Sequence, residues 1–174
     1  MASHAPISAS GREGAEASSE QSMRRAQVQA LLARLVANSP IYSFALLAME
    51  LETVSRGSVT TRLRLTERHA NSKGGLHGAV SATVVDFVTG LAIASWDGRA
   101  TTGASVDMHL SYLATARAGD WVRVEARAER VGGSLAFVTV SIVRVGEGGA
   151  ADEVVVLAQH TKYVRGTAPA VTTG

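Results

Sequence analysis

The chain has 174 residues, 46% of them hydrophobic and 18% charged, a composition typical of a globular protein. Its length predicts one domain with a core of its own, and its formal net charge of +2 is too small to indicate a nucleic-acid partner. Because the chain has no cysteine, disulfides, cysteine zinc sites and thiol nucleophiles are excluded.

Both ends of the chain are rich in small and polar residues, so we expect disordered tails over residues 1–22 and 167–174. The first 22 residues lack the apolar segment of a secretory signal and carry three glutamates, unlike a mitochondrial presequence. The final Val-Thr-Thr-Gly is not a peroxisomal address. The expected compartment is therefore the cytoplasm, with mitochondrial and peroxisomal locations left open.

Three elements are predicted before residue 71, beginning with an amphipathic helix over Arg24–Asn38. Ile41–Met49 is predicted as a strand, and Ser58–Thr66 alternates apolar and polar side chains as a strand does. Residues 71–96, NSKGGLHGAVSATVVDFVTGLAIASW, predict a long helix preceded by a glycine-rich turn. It carries one carboxylate, Asp86, and its composition indicates burial in the protein rather than a membrane span.

Four further strands are predicted after a turn at Asp97-Gly98. They are Ala104–Leu113, Trp121–Val131, Ser134–Val145 and Val154–Val164. The short turns between them predict an antiparallel sheet, and one sheet wrapped round one apolar helix buries that helix economically. We therefore expect an α+β fold over residues 23–166, with one long buried helix and an extra N-terminal helix.

A carboxylate buried without a partner costs much free energy, so Asp86 needs an explanation. In a purely structural explanation, the glycines allow a tight turn before the helix and Asp86 is hydrogen-bonded to a neighbouring strand. In a catalytic one, the helix N-terminus at Gly78 stabilises an oxyanion, with Asn71 and His77 beside it. Apolar surroundings would then raise the pKa of Asp86 towards that of a useful general base.

Geometry limits how these residues cooperate. Eight helical residues separate Gly78 from Asp86, about 12 Å at the rise of an α-helix, so one carbonyl cannot contact both. Either the two residues serve unrelated purposes, or two helices run antiparallel across a twofold axis and Gly78 of one subunit faces Asp86 of the other. The residues alone leave both alternatives open.

Metal and nucleotide sites receive no support from the sequence. The histidines at 69, 77, 109 and 160 lack metal-ligand spacing, so no metal is expected. The glycine-rich stretch before the helix matches neither the Walker pattern nor GxGxxG.

A family resemblance covers residues from about Arg24 to Arg165. It rests on Asn71, on Gly75-Leu-His-Gly78, and on Asp86 nine residues after His77. The later segments SVDMHLSYLATARAGD, SLAFVTVSI and AQHTKYV also match. These motifs resemble the hotdog-fold thioesterases of the phenylacetate-pathway type. The resemblance implies a hotdog fold, dimers that usually pair into tetramers, and hydrolysis of acyl-CoA thioesters without metal or other cofactor.

The same resemblance assigns roles to individual residues. It implies that the Gly78 N–H polarises the thioester carbonyl and that Asn71 and His77 hold this end of the substrate. Asp86 of the partner subunit would activate water or attack directly, and Ser105 would orient the water.

Two positions do not follow the family pattern simply. Ala79 stands where the family often has glycine, and its methyl group narrows the acyl approach. Ser105 lies on the polar face of its predicted strand, so its role requires a twist or bulge that turns it inward.

Lys162 and Arg165, near the end of the last strand, are candidate contacts for the CoA phosphates at the surface. Ordinary solvated surface is the simpler interpretation of either residue alone.

Two other functions fit the same family. A non-catalytic acyl-CoA-binding protein is the main alternative, although binding alone does not require a buried base such as Asp86. A dehydratase is a second alternative, but those enzymes usually have motifs richer in proline than this chain, which has three. No local motif encodes the length or type of the acyl group.

Overall fold

The computed structural model of the chain describes the backbone of residues 9–169 and the side chains of residues 17–169. Three α-helices and six strands follow in the order α1 Ala9–Asn38, α2 Pro40–Leu46, β1 Glu50–Ser55, β2 Ser58–Arg64, α3 Gly78–Asp97, β3 Ala104–Tyr112, β4 Trp121–Val131, β5 Leu135–Arg144 and β6 Glu153–Tyr163, with a short 3-10 helix at Glu67–His69 before α3. The strands form one antiparallel sheet in the order β1-β2-β4-β5-β6-β3. This confirms the α+β fold with one long helix against an antiparallel sheet.

The long helix α3 forms the centre of the core. Its side chains Phe87, Leu91 and Ile93 are almost fully buried, and the helix packs mainly on β4, β2 and β5. By length and composition α3 could cross a membrane, but 67% of its most apolar window is buried inside the fold. Its mean hydropathy therefore reflects its position in the core.

The segment after α1 differs from the prediction, because Ile41–Met49 is not a strand. Pro40 occupies the first turn of the short helix α2, a position that proline favours. Ala45 and Leu46 face the core, whereas Ile41 is exposed, as helical spacing requires. The first strand of the sheet, β1, was missed because a bulge between Leu51 and Thr53 breaks the alternation of its side chains.

The predicted N-terminal tail is wrong over residues 9–22, because α1 begins at Ala9. This stretch contains three alanines and three glutamates, which favour helix, and Glu20 forms an i,i+4 ion pair with Arg24 at 2.5 Å. Residues 1–8 lie outside the described part of the chain. At the other end, the Thr167 hydroxyl accepts a hydrogen bond from Arg99, and residues 170–174 are again outside it.

Strand β3 occupies an edge of the sheet because it pairs with β6, the last strand in the sequence, and not with β4. Its side chains are largely exposed, including Val106, Met108 and Tyr112. The pairing with β6 shifts register between Ser105 and Asp107, which places a bulge near the start of the strand. Both the edge position and the bulge determine the geometry of the site described below.

Gly103 fixes the entry of β3 into the sheet. It has a φ of +73°, and a Cβ atom there would clash with the carbonyl oxygen of Tyr163. We predict that Gly103→Ala lowers the free energy of unfolding by about 1–3 kcal/mol, because it adds left-handed strain and a backbone clash. Denaturant unfolding measures this change.

Gly133→Ala is the matched control, since its Cβ would meet nothing within 4 Å. Equal stability of the two variants would show that the turn before β3 tolerates a side chain.

Candidate active site

The loop before α3 is shaped by Asn71. Its Oδ1 accepts hydrogen bonds from the N–H groups of Lys73 at 2.9 Å and Gly75 at 3.2 Å, and its own N–H donates to the Gly75 carbonyl at 2.7 Å. A Cβ on Gly75 would lie 2.5 Å from Thr115 Oγ1, so the chain passes too close to that side chain for any larger residue. Asn71 therefore folds the turn that presents the start of the helix.

His77 caps α3, since its Nδ1 accepts a hydrogen bond from the Ala79 N–H at 3.0 Å. The first N–H groups of a helix lack partners within the helix, and none of the described residues accepts a bond from the Gly78 N–H. The Tyr112 hydroxyl, from the far end of β3, donates to the Gly78 carbonyl at 3.2 Å. This end of α3 thus offers an open N–H at Gly78, with His77 exposed beside it.

Asp86 lies two turns further along α3 and has a donor on each carboxylate oxygen. Its Oδ2 accepts a hydrogen bond from the Tyr42 hydroxyl at 2.5 Å, and its Oδ1 is 2.8 Å from the Lys162 ammonium. Ser105 Oγ also donates to Oδ1, at 3.2 Å. The carboxylate side chain remains 30% exposed. These donors explain how a charged group is accommodated in apolar surroundings, and the open side leaves room for a reactant.

His160 extends the network behind Ser105. It is almost fully buried, and its Nε2 lies 3.0 Å from Ser105 Oγ and 4.0 Å from Asp86 Oδ1. Because the Ser105 hydroxyl donates its hydrogen bond to Asp86, its oxygen accepts a hydrogen bond from His160. This places the histidine proton on Nε2. Nδ1 has no partner among the described residues. The order of donors is thus His160 to Ser105 to Asp86.

The pKa of His160 lies below its usual value. Burial is the main cause, and the positive charge of Lys162 adds to it, outweighing the opposite influence of Asp86 and Asp107. The imidazole is therefore neutral near pH 7, and Lys162 supplies the positive charge beside the carboxylate.

The pKa of Asp86 differs in direction from the expectation drawn from the sequence. Burial alone raises the pKa of this carboxyl, but the hydrogen bonds from Lys162 and Tyr42 and the charge of Lys162 outweigh burial. The pKa consequently falls below its ordinary value of 3.8. The apolar neighbours were visible in the sequence, whereas the buried ammonium group was not. Burial, together with the hydrogen bond to the Asp86 carboxylate and its negative charge, raises the pKa of Tyr42.

Ser105 faces Asp86 because of the bulge in β3. Strict alternation would turn it away with the other polar residues of the strand. The register with β6 instead runs from Ser105 opposite Lys162 directly to Asp107 opposite Thr161, which rotates the serine towards α3. The bulge that an inward-facing Ser105 requires is therefore present, and Ser105 faces inward.

Lys162 requires a correction. We expected it at the surface, either as a phosphate contact or as ordinary solvated surface, but its side chain is 5% exposed and its ammonium nitrogen lies 2.8 Å from Asp86 Oδ1. Four inward-facing positions of β6 are Val156, Ala158, His160 and Lys162. His160 and Lys162 are two polar residues on a buried strand face, and this pattern in the sequence indicates a buried polar site that our prediction did not include. Arg165, just beyond β6, is exposed as expected.

The candidate residues thus form two groups on one chain. Asp86 and Ser105 lie together with Lys162, and the structure adds Tyr42 and His160 to this group. Asn71, His77 and Gly78 lie together at the start of α3, about 12 Å away along the helix. The open N–H and the carboxylate do not meet within a single chain.

Comparison with known proteins identifies the family. Residues 73–151 match the model of the thioesterase superfamily. Acyl-coenzyme A thioesterase 13 of Homo sapiens is 30% identical over 114 residues, which cover 66% of this chain and 78% of the human protein.

Solved structures agree with this assignment. Zebrafish thioesterase superfamily member 2 has a TM-score of 0.66 and 32% identity, and the match covers 75% of this chain and 91% of that one. A Streptococcus mutans protein bound to acetyl-CoA has a TM-score of 0.62 and 21% identity, covering 70% and 91% of the two chains. The chain belongs to the thioesterase superfamily, whose members are thioester hydrolases, and it has the hotdog fold that the sequence motifs predicted.

Proposed function

We propose that the protein hydrolyses acyl-CoA thioesters to the free acid and CoA, with Asp86 as the catalytic carboxylate. Two similarities support acyl-CoA as the substrate class. The human relative is named an acyl-coenzyme A thioesterase, and the S. mutans protein has acetyl-CoA bound. The observation that carries the proposal is the Asp86 carboxylate, 30% exposed and held by donors inside an otherwise apolar helix.

In this mechanism a water molecule binds on the open side of the Asp86 carboxylate, next to Ser105. Its oxygen attacks the thioester carbonyl while Asp86 accepts a proton from it. The carbon–sulfur bond then breaks, and the proton passes to the departing CoA thiolate. Because Asp86 is held in its charged form, it is ready to accept that proton at neutral pH. His160 keeps the Ser105 hydroxyl directed at the carboxylate.

The oxyanion that forms on the carbonyl needs donors, and we propose the Gly78 N–H for this role. A helix N-terminus carries unpaired N–H groups and partial positive charge, which stabilise developing negative charge. Asn71 folds the loop and His77 caps the helix, so both support this end of the substrate. Within one chain the Gly78 N–H is about 12 Å from Asp86, so the proposal requires a second subunit.

Strand β3 supports a homodimer that completes the site. Its free edge has unpaired backbone groups, and Val106, Met108 and Tyr112 are exposed beside it. In antiparallel pairing of two β3 strands, the Ser105 end of one lies next to the Tyr112 end of the other. Ser105 bonds to Asp86 and Tyr112 bonds to Gly78. Such pairing therefore brings Asp86 of one subunit towards Gly78 of the partner subunit, and two such dimers can pair further.

We predict that Asp86→Asn lowers kcat by about two to four orders of magnitude while CoA binding is kept, because the general base is lost. Thiol release from a panel of acyl-CoA thioesters measures the rate, and calorimetry measures CoA binding. Asp152→Asn is the matched control, since this exposed carboxylate lies in the loop after β5.

Near-normal hydrolysis by folded Asp86→Asn would rule out Asp86 as the base. A wild-type protein that binds CoA but hydrolyses none of the thioesters would instead be a non-catalytic acyl-CoA-binding protein.

Mixing two inactive variants tests the shared site. Asp86→Asn and Gly78→Pro each damage one half of it, because proline removes the N–H that the carbonyl needs. A mixed dimer has one site with both lesions and one with neither. After joint unfolding and refolding, about half of the dimers are mixed, so we expect roughly a quarter of wild-type activity.

Mass spectrometry or tagged subunits must confirm the exchange, and each variant refolded alone is the control. Confirmed mixed dimers without activity would show that the two groups do not meet across the interface.

A further inference from the structure

One buried charged group has no part in the mechanism so far. The Lys162 side chain is 5% exposed, and its ammonium nitrogen lies 2.8 Å from Asp86 Oδ1. Lys162 stands directly opposite Ser105 in the pairing of β6 with β3, so it approaches the carboxylate from the sheet. Its depth places it away from solvent and from a phosphate at the surface.

A second donor approaches Asp86 from the opposite side. The Tyr42 hydroxyl, on α2, is 2.5 Å from Oδ2. The Tyr42 ring packs edge-on against Phe87 of α3, with ring centroids 4.9 Å apart and an angle of 69°. Each oxygen of the carboxylate is thus fixed by a donor from a different element of the fold.

We infer that Lys162 and Tyr42 are positioning residues for the hydrolysis, which hold the Asp86 carboxylate in one orientation and in its charged form. The inference rests on the proposed function, because it assigns a purpose to these two groups only if Asp86 accepts the proton from water. Neither side chain contacts the reactant in this role.

A contribution to folding stability does not by itself explain why a lysine is buried at position 162. Removing an ammonium group from water is costly, and replacing a buried ion pair with apolar residues of similar volume is often neutral or stabilising. The inward face of β6 is apolar at Val156 and Ala158 and polar only where His160 and Lys162 approach Asp86. A lysine at this point is therefore best explained by what its charge does to Asp86.

The charged and titratable groups around Asp86 come from three elements. Tyr42 lies on α2, and His160 and Lys162 lie on β6. Asp107 of β3 acts on His160. Because the pKa of His160 is lowered, the imidazole is neutral at pH 7 and Lys162 is the positive charge that opposes the effect of burial.

This arrangement determines the direction of the pH effect. In the wild type the pKa of Asp86 lies below 3.8, so the carboxylate stays charged throughout the range in which such an enzyme is assayed. Without Lys162, burial acts with less opposition and the pKa rises. The acid limb of the pH–rate profile then moves to higher pH by about one to three units, the usual effect of one nearby opposite charge.

The test compares Lys162→Met, Lys162→Arg and Tyr42→Phe with the wild type. The substrate is whichever of acetyl-, hexanoyl-, palmitoyl- and benzoyl-CoA the wild type hydrolyses fastest, with kcat and KM measured from pH 4.5 to 9. Arg130→Met is the matched control, since it removes an exposed positive charge at the far end of β4.

For Lys162→Met we expect kcat at pH 7 to fall by about tenfold or more with KM changed less than about threefold, because the change acts on the transition state. Its acid limb should lie at higher pH than that of the wild type, and Lys162→Arg should restore at least part of that shift. Tyr42→Phe should show a smaller effect in the same direction, and Arg130→Met should behave as the wild type.

An unchanged kcat and pH profile in folded Lys162→Met would overturn the inference, as would a raised KM with unchanged kcat, which would indicate a phosphate contact. If Lys162→Met does not fold, as judged by circular dichroism and thermal unfolding, Tyr42→Phe decides by the same criteria. Asp86→Asn distinguishes a failure of the proposed mechanism from a failure of the positioning role. Normal activity in that variant removes the proposed mechanism itself, whereas its inactivity beside an unaltered Lys162→Met removes only the positioning role.

Discussion

The ion pair between Asp86 and Lys162 is the contact that the proposed mechanism depends on. It allows a charged residue to occupy the apolar helix α3, which the sheet otherwise covers with hydrophobic side chains. It also connects the helix to β6, and the register of β6 with β3 brings Ser105 to the same point. The ion pair thus joins α3 to β6, and the strand paired with β6 carries the serine that contacts the same carboxylate.

The same contact involves a compromise between charge and basicity. Burial would raise the pKa of Asp86 and make it a stronger base, whereas Lys162 and Tyr42 lower the pKa and keep it charged. A base with a low pKa accepts a proton less readily, so in our proposal the gain comes from fixed orientation and constant charge. The barrier to attack must then be lowered mainly by donors on the carbonyl oxygen. This makes the open N–H at Gly78 as important as the carboxylate.

Much of the fold could be predicted because its elements have strong local patterns. The apolar run of α3 and the alternation of β4 were sufficient to identify these two elements. The bounds of β4 at Trp121 and Val131 match the prediction. The misassigned segment Ile41–Met49, most of which lies in α2, has apolar residues at spacings that suit both helix and strand, and only the preceding proline in the first turn of α2 favours the helix. The bulge in β1 removes the alternation that would have identified that strand.

The site was less predictable for a different physical reason. Asn71, His77, Gly78 and Asp86 lie within 16 residues, so a local motif contains them. Tyr42 and Lys162 are 44 residues before and 76 residues after Asp86, and their contact with it depends on how α2 and β6 pack against α3. No local periodicity records such a contact. A lysine on an inward-facing position of a strand nevertheless implies a buried partner of opposite charge.

The position of β3 at the edge of the sheet links this chemistry to assembly. If β3 were the neighbour of β4, as sequential order suggests, the Ser105 and Tyr112 ends of the strand would both be covered within one chain. The pairing with β6 instead leaves one side of β3 free over its whole length. Ser105 and Tyr112 stand near opposite ends of that free strand, each bonded to a different half of the site. An antiparallel pair of such strands exchanges the two ends, so in our proposal the distance along α3 that separates the two halves within one chain is overcome by a second chain.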